Sequence, residues 1–206
     1  MTATPALSFT HCFEPAADPT RPPIVLLHGT GGDEDDLLPI GRVVAPGSAL
    51  LSPRGKVIER GMSRFFRRQS EGVFDEDDVR FRAHELADFI GAARAAYGFA
   101  APIAVGYSNG ANIAAAILLL RPDALAGAAL MRAMAPLADP PKADLAGKPV
   151  LLISGERDPM APAASAARLA QTLSGAGALV RREIVATGHQ LTQADVAIAK
   201  DWLARL

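Results

Sequence analysis

The stretch Ile103-Ala104-Val105-Gly106-Tyr107-Ser108-Asn109-Gly110-Ala111-Asn112-Ile113 decides how this chain folds. Ile103 to Val105 is an apolar run of strand length, and Asn109 to Leu120 carries a helical pattern. Between them Gly106 and Gly110 bracket Ser108 in the spacing G-x-S-x-G. A strand that turns at once into a helix with this spacing predicts a sharp elbow, with Ser108 alone at its tip and the helix N-terminus behind it. The glycines let strand and helix pass closely. A five-residue pattern arises by chance in some chains, but chance does not also supply the flanking strand and helix.

Outward from this elbow, apolar runs alternate with helical patterns, which predicts an α/β fold with a mostly parallel central sheet flanked by helices. Ile24 to Leu27 reads as a central strand, apolar on both faces. Leu7 to Phe13 reads as an edge strand, and Ala49 to Leu51 as a short strand ended by Pro53. Ala126 to Met131, Val150 to Ser154 and Ala178 to Val185 are further strands. Helices are expected at Asp33 to Val44, with an acidic first turn, and at Asp78 to Tyr97 and Ala163 to Leu173. A last helix opens at Thr192, capped by Asp195, with Val196, Ala199, Leu203 and Leu206 as one apolar stripe. Gly55 to Asp77 is irregular, first basic and then acidic. The length fits one domain spanning residues 1–206.

Composition excludes several classes. The chain has 206 residues, half of them apolar, with 21 basic and 22 acidic side chains and a formal net charge of -1. That balance is unlike a nucleic-acid binder. A single cysteine, Cys12, excludes a disulfide framework and a Cys-rich zinc site, and it reads as a small buried hydrophobe on a strand. Met1 to Leu7 has no basic residue followed by an apolar run, so no secretory signal is expected. The longest apolar run, Ile113 to Leu120, is far below the roughly 18 residues of a membrane span. A cytoplasmic location without metal or cofactor is the expectation.

A serine nucleophile needs a base and an acid. In folds built on such an elbow both follow the serine in the chain, the histidine last. His189, between the last strand and the last helix, fits that place. His84 sits on a solvated helix face, His11 on the first strand, and His28 inside a loop. Asp158 follows the strand Val150 to Ser154 and is the acid, able to hold the imidazole in one tautomer. Asp158-Pro159 is also a common turn pair, and Glu156 is the reserve. Asp139 and Asp144 lie too early. His28-Gly29-Thr30-Gly31-Gly32 follows the first central strand, where an oxyanion donor belongs, so the main-chain N–H groups of Thr30 and Asn109 are assigned that role. A phosphate loop is excluded because the Gly-Lys-Ser/Thr ending is missing and Asp33 to Asp36 would repel phosphate.

These segments together resemble the α/β-hydrolase superfamily, and within it the small phospholipase/carboxylesterase family. Leu27 to Gly32, Gly106 to Gly110, Ser154 to Pro159 and Gly188-His189 carry the likeness. Arg64-Phe65-Phe66-Arg67-Arg68 is similar to a segment of bacterial carboxylesterases found in hydroquinone-resistance clusters. The resemblance implies a cofactor-free serine esterase acting on small-molecule esters, often as a homodimer. Asn109 stands where the acyl-protein thioesterases usually have Gln, which points away from protein depalmitoylation. Dienelactone hydrolases use cysteine where this chain has Ser108. An acyl thioesterase or lysophospholipase with the same triad is the alternative. A non-catalytic receptor on this fold would be expected to break the triad, and all three members are present.

For the acyl pocket the candidates are Phe65, Phe66, Met131 and Met160, together with Phe74 and Met134, against the alternative that each packs in the core. Arg64, Arg67 and Arg68 read as a solvated face, with an anionic substrate as the alternative. The Pro-rich connection Ala135 to Pro149 is too short for a large lid. An open site preferring short to medium acyl chains is therefore expected.

Overall fold

In the computed structural model, which describes residues 7–70 and 72–206, β2 (Ile24–Leu27) is buried at every residue. Its side chains alternate between two apolar clusters: Ile24 and Leu26 join one, Val25 and Leu27 the other. A strand does this when both faces of its sheet are covered.

The sheet has seven strands in the order β1 (His11–Glu14), β3 (Leu50–Pro53), β2, β8 (Ile103–Tyr107), β9 (Gly127–Met131), β10 (Pro149–Gly155) and β11 (Leu179–Val185). Only the β1–β3 pairing is antiparallel. Helices α2 (Glu76–Tyr97), α3 (Asn109–Leu120) and α4 (Ala163–Gly175) bury their apolar residues in one cluster; α1 (Leu38–Val44) and α5 (Gln193–Leu203) do so in the other. Every residue of α3 from Asn109 to Leu119 is buried. That is why the helix is apolar all round. Burying side chains such as Ile113, Ile117 and Leu118 is worth about 1.5–3 kcal/mol each.

Chain order reverses between β2 and β8: the chain leaves β2 toward β3 and resumes on its other side with β8. A crevice opens at the carboxyl ends of the strands at such a point. Thr30 follows β2 there, and Ser108 follows β8.

Some boundaries differ from the expectation. The first helix starts at Leu38, not Asp33, because Pro39 lies at its start. A helix from Asp33 would bury that proline in its interior, where it lacks the needed N–H. Asp33 instead caps a turn, accepting from Asp35 N, and Glu34 pairs with Arg54. The first strand begins at His11 rather than Leu7; residues 1–6 lie outside the described ones. Cys12 is half-buried rather than fully buried, its Sγ donating to Asp35 Oδ1 at 3.4 Å. The region from Gly55 to Asp77 is not wholly irregular. It contains two antiparallel pairs, β4 (Val57–Glu59) with β5 (Met62–Arg64) and β6 (Arg68–Ser70) with β7 (Val73–Phe74). Leu206 lies beyond α5 and is exposed, and Trp202 takes its place on the buried stripe. The capping box of Thr192 and Asp195 is present. Among the described residues no helix is long and apolar enough to cross a membrane.

Candidate active site

The elbow forms because two glycines allow it. A Cβ on Gly110 would sit 1.9 Å from Leu27 O, and one on Gly106 would sit 2.8 Å from Ala111 Cα and N. Strand β2, the elbow and α3 therefore meet backbone to backbone. Ser108 pays with φ 51° and ψ −113°, a conformation rare outside glycine. Its N–H is held by Met131 O at 2.9 Å, across to β9.

Three distant segments converge on its side chain. His189 Nε2 lies 2.9 Å from Ser108 Oγ, and His189 Nδ1 lies 2.8 Å from Asp158 Oδ2 and 3.0 Å from Oδ1. With Nδ1 protonated toward the carboxylate, Nε2 faces Ser108 as an acceptor. Asp158 also fills the turn role expected of Asp-Pro, since Oδ1 accepts from Met160 N at 2.8 Å and Ala161 N at 3.0 Å. Glu156, Asp139 and Asp144 are all exposed, away from this chain of bonds. A Cβ on Gly155 would meet Gly188 O at 2.3 Å, so glycine lets the end of β10 approach the histidine loop.

The amides of Thr30 and Asn109 donate to no group among the described residues, while Gly31 N and Gly32 N are both engaged. Asn109 Oδ1 accepts from Phe65 N at 2.7 Å, tying the start of α3 to the segment before α2. His28 is 1 % exposed and structural: its Nδ1 lies 2.6 Å from Gly29 O, and its Nε2 accepts from Gly55 N at 2.9 Å. Burial pushes its pKa below the ordinary imidazole value. His84 is exposed, and His11 bonds Phe9 O and Tyr97 on the sheet edge.

The cleft above Ser108 is lined by Thr30, Asn109 and His189, by Phe74, Met134 and Met160, and by Arg64 and Arg68. Phe65, Phe66 and Met131 do not line it, which corrects the sequence expectation. Phe65 and Phe66 are 2 % and 0 % exposed within the cluster around α2 and α3, and Met131 is 0 % exposed in the opposite cluster. Burial of these large apolar side chains removes their surface from water, which favours the core over a wet cleft. Among the described residues, no three His, Cys, Asp or Glu side chains are grouped to hold a metal ion.

The pattern of the alpha/beta hydrolase fold family matches residues 52–147, and that of a family described as TAP-like protein matches residues 130–202. MhqD of Bacillus subtilis (strain 168), which bears the name of a hydrolase, is 46% identical over 181 residues, covering 87% of this chain and 90% of that protein. The chain belongs to the α/β-hydrolase carboxylesterase family. The crystal structure of the Bacillus cereus carboxylesterase is 44% identical with a TM-score of 0.94, over 96% of this chain and 94% of that one. A carboxylesterase from Mesorhizobium loti is 33% identical with a TM-score of 0.90, over 95% and 94%. The protein is thus a hydrolase of esterase type.

Two residues of this carboxylesterase-family hydrolase escaped the sequence reading. Arg132 is 1 % exposed with φ 58°, at the end of β9. Its Nε donates to Gly188 O at 3.0 Å and its Nη2 to Gln190 O at 3.1 Å, bracketing His189. Tyr107 OH donates to His189 O at 3.1 Å. Three consecutive carbonyls of the histidine loop are thereby held. The one available signal was a charge at the end of a buried strand, Leu130-Met131-Arg132, which a core position tolerates only if paired.

Proposed function

We propose that this protein hydrolyses carboxylic esters of short to medium acyl chain through an acyl-enzyme on Ser108. The observation that carries the reading is the continuous hydrogen-bonded chain from Ser108 Oγ through His189 to Asp158. His189 Nε2 takes the hydroxyl proton as Ser108 Oγ attacks the ester carbon. Asp158 stabilises the resulting imidazolium and keeps Nδ1 as the protonated nitrogen. The carbonyl oxygen becomes an oxyanion held by the amides of Thr30 and Asn109, which donate to no other group among the described residues. His189 then returns the proton to the departing alkoxide. Water, activated by the same histidine, attacks the acyl-serine, releases the acid and restores Ser108.

Chain length follows from the walls. The cleft is small, about 40 Å³, against about 300–1,000 Å³ for pockets that enclose drug-sized ligands. Phe74, Met134 and Met160 are its large apolar residues, with Ala161 beside them. Residues 132–148, between β9 and β10, contain no helix, and the described residues of 54–75 contain only the two small strand pairs. Among the described residues no large cap covers a tail. Each buried methylene is worth about 0.8 kcal/mol, so selectivity stops rising once the apolar walls are covered.

The test has two parts. Fluorophosphonate labelling mapped by mass spectrometry is expected at Ser108 and to vanish in Ser108→Ala, with the melting temperature of that variant near wild type. Specificity constants for p-nitrophenyl esters are expected to plateau at medium length with no jump at the micellar threshold. An unlabelled Ser108 overturns the nucleophile. A rate that climbs through long chains overturns the open site.

A further inference from the structure

The three cations of Arg64-Phe65-Phe66-Arg67-Arg68 have different fates. Arg67 is the solvated one: its side chain is 59% exposed and pairs with Asp75 and Asp78 at the start of α2. Arg64 and Arg68 instead line the cleft over Ser108. They share one carboxylate. Glu59 Oε2 lies 3.1 Å from Arg68 Nε and 3.7 Å from Arg64 Nε. Among the described residues no Asp or Glu lines the cleft, and the third lining arginine, Arg132, is neutralised by Asp195. The described charged side chains on the cleft wall are therefore cationic, while Asp158, the carboxylate behind it, is turned to His189.

Arg64 is placed for a ligand. Its side chain is 4% exposed, its Nε donates to Phe66 O at 3.1 Å and its Nη1 to Thr30 Oγ1 at 2.7 Å. Nη2 has no partner among the described residues. Burial, and then the neighbouring Arg68 charge, pull the guanidinium's pKa below its ordinary value. A desolvated cation held against a like charge is a site that gains from a second anion. Through Thr30 this cation adjoins the amide assigned to the oxyanion.

We propose that the substrates of this site are esters that carry a carboxylate, bound by Arg64 and Arg68 beside the reacting carbonyl. The proposal rests on the esterase reading above and names its substrate class. A guanidinium fork matches a carboxylate in shape and charge, and such charge-assisted bonds are strongest where water is excluded. The carboxylate can belong to the acyl part, as in half-esters of short dicarboxylic acids, or to the alcohol part, as in esters of short hydroxy acids. Both present the same group to the same arginines.

The experiment compares each acid with its neutral amide on the wild-type protein: monomethyl succinate against methyl succinamate for the acyl side, acetoxyacetate against 2-acetoxyacetamide for the alcohol side. Acid release is followed by titration. One of the two acids is expected to exceed its amide in kcat/KM by about tenfold, the scale of one charged hydrogen bond. Which pair shows the gap identifies the side that bears the charge. The gap is expected to shrink in 1 M salt, to fall toward unity in Arg68→Gln, and to widen in Glu59→Gln. Amides turned over as well as acids in both pairs, or no turnover of any of the four while p-nitrophenyl acetate is hydrolysed, overturns the anion proposal alone. Absence of both p-nitrophenyl acetate hydrolysis and Ser108 labelling overturns the esterase reading and this one with it.

Discussion

Arg132 and Asp195 meet as a buried two-pronged ion pair: Nη1 donates to Oδ1 at 2.7 Å and Nη2 to Oδ2 at 2.9 Å, with both side chains 0% exposed. The pair links the end of β9 to the start of α5. Asp195 Oδ2 also accepts from Thr192 N at 2.7 Å and Thr192 Oγ1 at 2.8 Å, so one carboxylate caps the helix and neutralises the arginine. The same guanidinium holds the carbonyls on either side of His189.

Breaking that pair is expected to strand a buried charge. Asp195→Ala should cost about 3–5 kcal/mol in urea unfolding, in the range of other buried pairs that lose one partner. The histidine loop loses its anchor as well, so kcat should fall more than KM rises. A variant with wild-type stability and wild-type turnover would contradict the role assigned to the pair.

Asp158→Asn is expected to lower kcat by up to about ten-thousand-fold, the scale seen when a triad acid no longer fixes the imidazole tautomer. Glu156→Gln should stay near wild type, since Glu156 is exposed. Steady-state kinetics on both variants decide it. A crippled Glu156→Gln beside a mild Asp158→Asn reverses the assignment.

At Thr30 the backbone and the side chain are expected to separate. Thr30→Ala removes only the hydroxyl that accepts from Arg64 Nη1 and should cost about tenfold in kcat/KM, the low end for one hydrogen bond to a charged group. Thr30→Pro removes the N–H itself and should cost about a hundred- to a thousand-fold in kcat. Circular dichroism checks that both are folded. Equal losses would assign the effect to the hydroxyl.

His28 makes stability depend on pH. Its folded pKa is held below the ordinary value of 6.5 by burial. Between those two values the unfolded chain binds a proton that the folded chain does not. The contribution is therefore complete above about 6.5 and is lost as pH falls through the folded value. His28→Gln should be less stable at pH 7.5, because the Gly55 N–H loses its acceptor. It should also show a shallower decline in urea midpoint from pH 7.5 to 5. Identical slopes in the two proteins would remove His28 from the account.

Much of the site was legible in local pattern. Gly106, Ser108 and Gly110 announced the elbow because the backbone contacts that demand glycine lie at fixed offsets from the serine. Pro39 also held the signal for the helix start, although the acidic run before it drew the boundary too early. Asp158 and His189 followed from chain order, since each belongs to the loop after a late strand.

The sequence by itself determined the alternation of buried strands and helices, the elbow, and the three residues whose side chains meet at its tip. These depend on periodicity and on turn chemistry, which act over a few residues. Tertiary structure alone decided that Arg132 reaches Asp195 across 63 positions, and that it brackets His189 on the way. It also decided that Phe65, Phe66 and Met131 sink into the core, leaving Arg64 and Arg68 at the cleft. Both outcomes turn on which groups are desolvated together, a property of the assembled interior that no local spacing encodes.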